Sequence, residues 1–299
     1  MTDSGLGTPG APAPSGVRAL RAGQDVDLVL ACTRKERLVG RSGTPYLALD
    51  LRDREGTIQA RAFRDADVLG GRFERGDLIR VRGRVERFRD ELQLDVATID
   101  PAVGADPAAF LPVAYRDLDE LDGFLEHLAS EVHDPPLRAL LTELLADTTI
   151  REGLRRTPCT RAGHHAYLGG LLEHTVAVAT LALETCILHA RLDSDLLVTA
   201  AIVHDLGKLR EFTYGAEIGL SDEGRLLGHV TLGLQLLAER PAMAAIPAAR
   251  RLALEHCVLT HHGPDTAPGR RFGSAEAMAL SRLNAVDAAV KGALEHGLH

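Results

Sequence analysis

The sequence has no tryptophan, and aromatic residues make up only 4% of its 299 residues. Hydrophobic residues still account for 45%, so we expect a sizeable core packed mainly from Leu, Val and Ala, in a chain long enough for two domains. The four cysteines lie far apart and form no CxxC pair. Their spacing excludes a thiolate zinc site and indicates free thiols in a reducing compartment.

Signals for export and for membrane insertion are also lacking. The N-terminus, MTDSGLGTPGAPAPSG, has neither the basic start nor the apolar stretch of a signal peptide. No run approaches the roughly 18 apolar residues of a membrane span. We therefore expect no membrane association and a cytoplasmic location. Residues 1–16 consist largely of Gly, Pro, Ala and Ser, which predicts a disordered tail.

Charge and histidine are distributed unevenly. Residues 1–105 hold 17 Lys and Arg against 16 Asp and Glu, which leaves 17 against 26 for the remainder. The net charge of −8 argues against bulk electrostatic coating of nucleic acid, although it allows a local basic face. All 13 histidines lie at or after His127, so the acidic part of the chain is also the histidine-bearing part. This placement indicates a localised use of histidine.

The first third of the chain alternates apolar and polar residues with a period of two. Five segments read as short strands: VDLVLACTRKER, TPYLALDLRD, EGTIQARAF, GDLIRVRGRVERF and ELQLDVATI. Five such strands separated by turn residues predict a small closed barrel of the OB-fold type over residues 17–101. The Pro- and Ala-rich stretch that follows predicts a linker at residues 102–115.

The same alternation predicts which barrel side chains face outward. On neighbouring strands these are two aromatic residues and one arginine: Tyr46, Phe63 and Arg61. The fourth strand adds an arginine stripe: Arg80, Arg82 and Arg84. Rings that stack on bases, beside guanidinium groups that contact phosphates, are typical of single-stranded nucleic-acid binding. An ordinary solvated strand face, with Phe63 under a loop, is the alternative.

Beyond the linker the period becomes helical. Predicted helices cover residues 116–132, 135–147, 167–190, 193–207, 226–240, 247–262 and 274–296. No strand pattern occurs there, so residues 116–299 are expected to be all-α. The predicted fold class is therefore multidomain, an all-β OB-fold barrel followed by an all-α domain.

Polar residues recur inside the apolar helical stretches of the second domain. The set comprises His174, His204, Asp205, His229, His261, His262, Asn284 and Asp287. A single histidine of this kind is more often a satisfied core residue, but imidazoles and carboxylates without cysteine favour a first-row metal such as Mn, Fe, Co, Ni or Zn. Because adjacent helical residues point about 100° apart, His204 and Asp205 are expected to flank two ions, with Asp205 as the bridge. Two bridged ions activate water and stabilise an attacked phosphate.

The order of these residues resembles that of the HD-domain metal-dependent phosphohydrolases. The strings HHAYLGGLLEHT, HDLGK, DEGRLLGHV and HHG are similar to those of the YhaM-type bacterial 3′-to-5′ exoribonucleases, which join an N-terminal OB-fold to an HD domain. The resemblance covers residues 20–290 in the same domain order.

The resemblance implies a role for each matching residue. His174, His204 and Asp205 would hold a first metal, and a second would be held by His229, His261 and His262. Asp205 and Lys208 would be catalytic, with a solvated charge as the alternative for Lys208. His164 and His165 would line the entrance, and Glu173 would orient His174. In LSRLNAVDA, Asn284 stands where the family has a metal-binding Asp, so either Asn284 or Asp287 would complete the first shell.

The function implied is a metal-dependent 3′-to-5′ exonuclease that acts on single-stranded nucleic acid, with RNA favoured over DNA as the substrate. Two divalent ions are implied, and manganese is the metal favoured. An HD phosphohydrolase of nucleotides or cyclic dinucleotides is one alternative, although the GYP signature expected after HHGPDT is missing. A non-catalytic nucleic-acid-binding protein with a degenerate HD site is another, motivated by Asn284. The resemblance is also compatible with assembly into a homo-oligomer.

Overall fold

The computed structural model describes residues 16–40, 43–215 and 217–297. The chain divides into two compact units, of which the first comprises the described residues up to Leu111 together with Gly215 and Glu217, and the second comprises residues 112–214 and 218–297. The boundary thus lies inside the predicted linker at 102–115. The predicted disordered tail at 1–16 lies, apart from Gly16, outside the described residues.

The first unit is built around a closed five-stranded barrel, which confirms the predicted OB-fold. Its strands run in the order β1-β2-β3-β5-β4 around the barrel, antiparallel except for the parallel pair β3 and β5. Their bounds are β1 (Asp25–Val39), β2 (Pro45–Arg52), β3 (Thr57–Ala62), β4 (Leu78–Phe88) and β5 (Glu91–Pro101), with the short helix α1 (Ala66–Gly70) between β3 and β4.

The barrel core follows the alternation in the sequence. Leu47, Leu49 and Leu51 of β2 point inward and are almost completely buried. The same is true of alternate residues on the neighbouring strands: Ile58, Ala60, Ala62, Ile79, Val81 and Val85. Since one face of each strand fills the barrel, the other face is left for solvent or a ligand.

The second unit is helical. Its elements are α2 (Leu118–Ser130), α3 (Pro135–Ala146), α4 (Thr148–Arg156), α5 (Gly170–Leu188), α6 (Ser194–Val203), α7 (Lys208–Glu211), β6 (Phe212–Tyr214), β7 (Ile218–Leu220), α8 (Asp222–Ala238), α9 (Pro241–Ala245), α10 (Ala248–Thr260) and α11 (Ala275–His296). The helical class is confirmed with one correction, the antiparallel hairpin β6–β7. This hairpin and the helices α4, α7 and α9 are too short to show a clear period in the sequence.

The helices that precede the polar dipeptides end earlier than the sequence predicted. Helix α6 ends at Val203, so His204 and Asp205 lie in the turn before α7 instead of inside a helix at 193–207. Gly207 in this turn packs closely on α8, because a Cβ built there would lie 1.9 Å from the carbonyl oxygen of His229. The turn therefore brings Asp205 and His229 to one place.

A kink at Gly228 interrupts α8 directly before His229. Gly228 has a φ of 70°, a left-handed conformation that glycine adopts without steric cost. The amide of His229 donates a hydrogen bond of 3.2 Å to Glu211 Oε1 at the end of α7. The kink thus helps to place the His229 side chain.

Helix α5 is the one helix in the described part of the chain with the length and apolar composition of a membrane span. The expectation that no segment has these properties is therefore wrong. In the structure, 56% of its most apolar window is buried inside the helical unit. All four cysteines are free and buried, as their spacing predicted, and the cytoplasmic location stays a prediction.

The close approach at Gly207 predicts that Gly207→Ala destabilises the helical unit by about 1–3 kcal/mol, because backbone atoms of α8 must move to admit the methyl group. Urea denaturation followed by far-ultraviolet circular dichroism measures the effect. The control is Gly123→Ala in α2, where a Cβ meets nothing within 4 Å. We expect that variant to be as stable as the parent or more stable, and equal behaviour of the two variants would contradict the prediction.

Candidate metal centre and nucleic-acid interface

The carboxylate of Asp205 lies at the centre of the histidine cluster and is 1% exposed. Its Oδ1 is 3.5 Å from both His229 Nε2 and His261 Nε2. Its Oδ2 is 3.3 Å from His204 Nε2 and 3.5 Å from His174 Nε2. Each oxygen thus faces a different pair of imidazoles, which is compatible with the predicted bridge between two ions.

The side chains of His204 and Asp205 approach each other in the turn after α6. Adjacent helical side chains diverge by about 100°, and on that basis the two are expected to point apart. His204 Nε2 and Asp205 Oδ2 nevertheless meet at 3.3 Å. His261 and His262, just beyond α10, also lie together, with ring centroids 4.1 Å apart.

Two of the histidines are oriented by the helices that they terminate. His204 Nδ1 is 2.8 Å from the Ala201 carbonyl oxygen, and His261 Nδ1 is 2.7 Å from the Val258 carbonyl oxygen. A carbonyl oxygen only accepts, so Nδ1 carries the proton in both rings and Nε2 carries the lone pair. Each imidazole reaches three residues back along the chain and turns Nε2 towards Asp205.

Carboxylates orient two further rings in the same way. His174 Nδ1 lies 2.6 Å from Asp287 Oδ2, and His229 Nδ1 lies 3.1 Å from Glu211 Oε1. Such outer partners fix the tautomer and direction of metal-binding histidines in many proteins. The Nε2 atoms of all four rings are therefore turned into the cluster as lone-pair donors.

The Nε2 atoms converge within the cluster. His174 Nε2 and His204 Nε2, which both carry a lone pair, are 3.3 Å apart, and His229 Nε2 is 2.8 Å from His262 Nε2. Asp205 Oδ1 and His261 Nε2 are buried without a hydrogen-bond partner. Buried polar atoms of this kind require a partner, and a cation satisfies all of them at once.

The donor set fits divalent metal. Ligand atoms of Asp205, His229, His261 and His262 all lie within 4.8 Å of one another. His174, His204 and Asp205 Oδ2 form a second set on the other side of the carboxylate. Nitrogen and oxygen donors of this type suit first-row divalent ions.

Burial keeps several of these imidazoles neutral. It lowers the pKa of His174 to about 4, and burial together with nearby His261 lowers the pKa of His262 to about 3. The pKa of His261 is also lowered, again mainly by burial. At neutral pH these rings therefore have the uncharged form that binds metal.

Lys208 is buried at the site, so its interpretation as a solvated charge is wrong. Its side chain is 6% exposed, and Nζ lies 2.6 Å from Asp205 Oδ2 and 3.3 Å from Cys159 Sγ. Burial alone would lower the pKa of Lys208, but the Asp205 carboxylate outweighs burial and raises it. Burial likewise raises the pKa of Asp205, but the ammonium of Lys208 outweighs burial, and the pKa is lowered. Both groups therefore stay charged.

Asn284 and Asp287 both contact residues of the histidine cluster. Asn284 is buried, and its amide nitrogen donates to the His261 carbonyl oxygen at 3.4 Å. Asp287 contacts Nδ1 of His174, whereas the same ring faces His204 through Nε2. In this arrangement Asp287 orients His174, and the residue that completes the first metal shell stays a prediction.

The residues predicted at the entrance take different positions. His164 is partly exposed, with its ring centroid 6.0 Å from that of His174. His165 is 1% exposed and bonds to Asp287 Oδ2 at 3.0 Å, so it supports the site from behind instead of lining an entrance. Glu173 is buried, and it contacts Tyr167 and Lys291 instead of His174.

Several residues of the site carry no sequence signal. They are Cys159, Tyr167, Glu211, Lys291 and Glu295. Tyr167 lies within the string HHAYLGGLLEHT but was not singled out, and the other four lie in segments whose pattern gives no reason to select them. Burial raises the pKa of the Cys159 thiol to about 12, which keeps it protonated beside Lys208.

On the barrel, the predicted aromatic residues and Arg61 lie together. The rings of Tyr46 and Phe63 are 5.5 Å apart, and the Arg61 guanidinium lies 5.6 Å from the Tyr46 ring and 5.3 Å from the ring of Phe88. Phe63 is 50% exposed, so it is not covered by a loop. Tyr46, Arg61 and Phe63 also line a surface groove of about 530 Å³. Phe88, at the end of β4, was missed by the sequence analysis.

The arginine stripe of β4 is partnered within the barrel. Arg80 binds Asp27 with two hydrogen bonds of 2.7 and 2.9 Å, Arg82 binds the same carboxylate at 3.0 Å, and Arg84 lies 3.4 Å from Asp25. Hydrogen bonds from Arg80 and Arg82 lower the pKa of Asp27 to about 2, so the pairs persist at neutral pH. The stripe is therefore less available to phosphates than the sequence predicted.

Comparison with known proteins agrees with this architecture. Residues 29–102 match the model of an OB-fold nucleic acid binding domain, and residues 171–289 match the model of an HD domain. The chain is thus an OB-fold barrel joined to an HD domain.

The particular resemblance drawn from the sequence is also confirmed. The chain is 29% identical over 255 residues to the 3′-5′ exoribonuclease YhaM of Shouchella clausii. The aligned region covers 83% of this chain and 78% of that protein. The chain is 28% identical over 253 residues to the 3′-5′ exoribonuclease YhaM of Bacillus subtilis, covering 83% and 79%. Among solved structures, the HD domain of the L. monocytogenes phosphodiesterase PgpH matches 53% of this chain and 74% of that chain, at 20% identity and a TM-score of 0.28.

The ion pairs of the arginine stripe predict that Asp27→Asn strengthens binding of a single-stranded oligonucleotide by a few-fold, because Arg80 and Arg82 become available to phosphates. Fluorescence anisotropy with a labelled oligonucleotide measures the change. Glu86→Gln, an exposed position of β4, removes the same charge without releasing Arg80 or Arg82. Equal affinities of the two variants would show that these arginines do not contact the strand.

Proposed function

We propose that this protein is a metal-dependent 3′-to-5′ exonuclease that hydrolyses phosphodiester bonds of single-stranded nucleic acid, RNA before DNA. The relatives named 3′-5′ exoribonuclease YhaM, which align over 83% of the chain, support the reaction and its direction. The OB-fold barrel with its exposed rings supports a single-stranded substrate.

The observation that carries the proposal is the convergence of unprotonated donors on Asp205. Two atoms of this cluster, Asp205 Oδ1 and His261 Nε2, are buried without a partner. One divalent ion would be held by His174, His204 and Asp205. A second would be held by Asp205 together with three imidazoles, those of His229, His261 and His262. Nitrogen and oxygen donors without a thiolate fit Mn, Fe, Co, Ni or Zn, and among these we propose manganese first.

Bound there, two divalent ions supply an activated water and charge stabilisation for the attacked phosphate. The residues of the chain prepare this chemistry. Asp205 spans both ligand sets, and the ammonium of Lys208, 2.6 Å from Oδ2, keeps its carboxylate ionised. The neutral imidazoles of His174 and His261 present Nε2 to the site. The barrel rings would hold the strand by stacking, which accepts any base.

The central position of Asp205 predicts that Asp205→Ala reduces manganese-dependent degradation of a labelled single-stranded RNA to background. The experiment uses matched RNA and DNA strands, so that it also measures the preference between them. Asp265→Ala, an exposed residue paired with Arg270, is the control and should keep full activity. Full activity of folded Asp205→Ala would show that the chemistry lies elsewhere.

The exposed rings of the barrel predict a separation between binding and chemistry. Phe63→Ala should raise KM for an oligonucleotide about 5- to 150-fold, because stacking contributes about 1–3 kcal/mol per base. Hydrolysis of bis(p-nitrophenyl) phosphate, which has no strand to stack, should be unchanged. Val68→Ala, an exposed apolar residue of α1, serves as the control. A parallel loss on both substrates would contradict the proposed role of Phe63.

A further inference from the structure

One face of α11 carries three charged residues at intervals of four: Asp287, Lys291 and Glu295. Residues four apart lie on the same side of a helix, one turn above another. All three contact a single stretch of chain, residues 163–174, which enters α5 and includes His174. This shared target distinguishes the face from an ordinary solvated row of charges.

The contacts form a continuous network behind the metal centre. Asp287 Oδ2 lies 2.6 Å from His174 Nδ1 and 3.0 Å from His165 Nε2. Lys291 Nζ donates to Glu173 Oε1 at 2.8 Å. Glu295 Oε2 accepts from the backbone amide of His165 at 3.1 Å.

Tyr167 links the two ends of this network. Its hydroxyl donates to Glu173 Oε2 at 2.7 Å and lies 2.9 Å from His165 Nδ1. Because the hydroxyl proton is used towards Glu173, His165 Nδ1 donates to the tyrosine oxygen. The side chains held by α11 are thus also held to one another.

The segment needs these bonds because its backbone is constrained. His165 has a φ of 51°, which is uncommon for a residue other than glycine and is maintained only by its surroundings. Gly170, at the start of α5, lies so close that a Cβ there would be 2.2 Å from the His165 carbonyl oxygen. The side chains of α11 therefore reinforce backbone hydrogen bonds that also fix this turn, such as those from the Cys159 amide to the His165 carbonyl oxygen and from the Leu171 amide to the Thr157 carbonyl oxygen.

We propose that Asp287, Lys291 and Glu295 form a positioning face, which holds His174 with its Nε2 lone pair turned towards Asp205 and thereby sets the affinity of the first metal. The inference rests on the proposed function, in which His174 is a metal ligand. None of the three residues contacts the reacting atoms, so each acts through His174 or through the segment that carries it.

The chemistry of a neutral imidazole explains why Asp287 has the largest effect. The ring has two tautomers, and only the one with its proton on Nδ1 offers Nε2 to a metal. An acceptor-only carboxylate at Nδ1 selects that tautomer, whereas an amide can donate to Nδ1 and select the other. Loss of such an outer partner lowers metal affinity about 10- to 100-fold in metalloproteins.

The test compares the full-length protein with Asp287→Asn in two measurements. Calorimetric titration with Mn²⁺ should show a first-site Kd raised about 10- to 100-fold, with the second site unchanged. Long-range ¹H–¹⁵N NMR of the metal-free protein should show His174 changing from the Nδ1-protonated tautomer to a mixture. Lys291→Met should give a smaller change of the same kind. Arg282→Met, an exposed position of the same helix, is the control and should change neither measurement.

The possible failures are distinguishable. If Asp287→Asn changes neither the Mn²⁺ titration nor the His174 tautomer, the proposed positioning role is overturned. It is also overturned if the variant loses metal without a change of tautomer, because Asp287 would then be a direct ligand. If the parent protein binds no Mn²⁺, the proposed function fails, whereas the tautomer of the metal-free protein still tests Asp287. If Asp287→Asn does not fold, Lys291→Met and Glu295→Gln are judged by the same two measurements.

Discussion

The buried carboxylate of Asp205 is the constraint on which the helical unit depends. A carboxylate at 1% exposure is expensive to hold in its ionised form unless positive charge or hydrogen-bond donors surround it. Lys208 provides one such charge at Oδ2, while Oδ1 has no hydrogen-bond partner and faces two imidazole lone pairs. The helix ends at Val203 and Thr260 are arranged so that these groups meet.

The histidines show how a cluster of identical side chains is given one direction. In each of the four rings described, Nδ1 donates a hydrogen bond to an oxygen atom. The acceptor is a backbone carbonyl for His204 and His261 and a carboxylate for His174 and His229. The carbonyl bonds are local, since they reach only three residues back. The carboxylate bonds join distant parts of the chain, so the geometry of the site depends on how the helices pack.

Much of this arrangement can be predicted from the sequence. Period-two alternation indicates the barrel, and the motif order indicates which imidazoles and carboxylate gather at the site. The turn at His204 was placed inside a helix because apolar residues continue on both sides of it, and helix ends are the least reliable part of such predictions. Glu211, Lys291 and Glu295 were missed because an acid or lysine at a helix surface looks like solvated charge until the neighbouring segment is known. The pairing of Arg80 with Asp27 depends on strand register, which alternation alone does not specify.

The paired arginines of β4 have a consequence for the energetics of binding. Asp27 already pairs with Arg80 and Arg82, and Asp25 pairs with Arg84. A phosphate chain that reaches these guanidinium groups must displace carboxylates that belong to the protein itself. Fewer dissolved counterions are then exchanged per arginine, so affinity should fall less steeply with ionic strength than the number of basic side chains suggests.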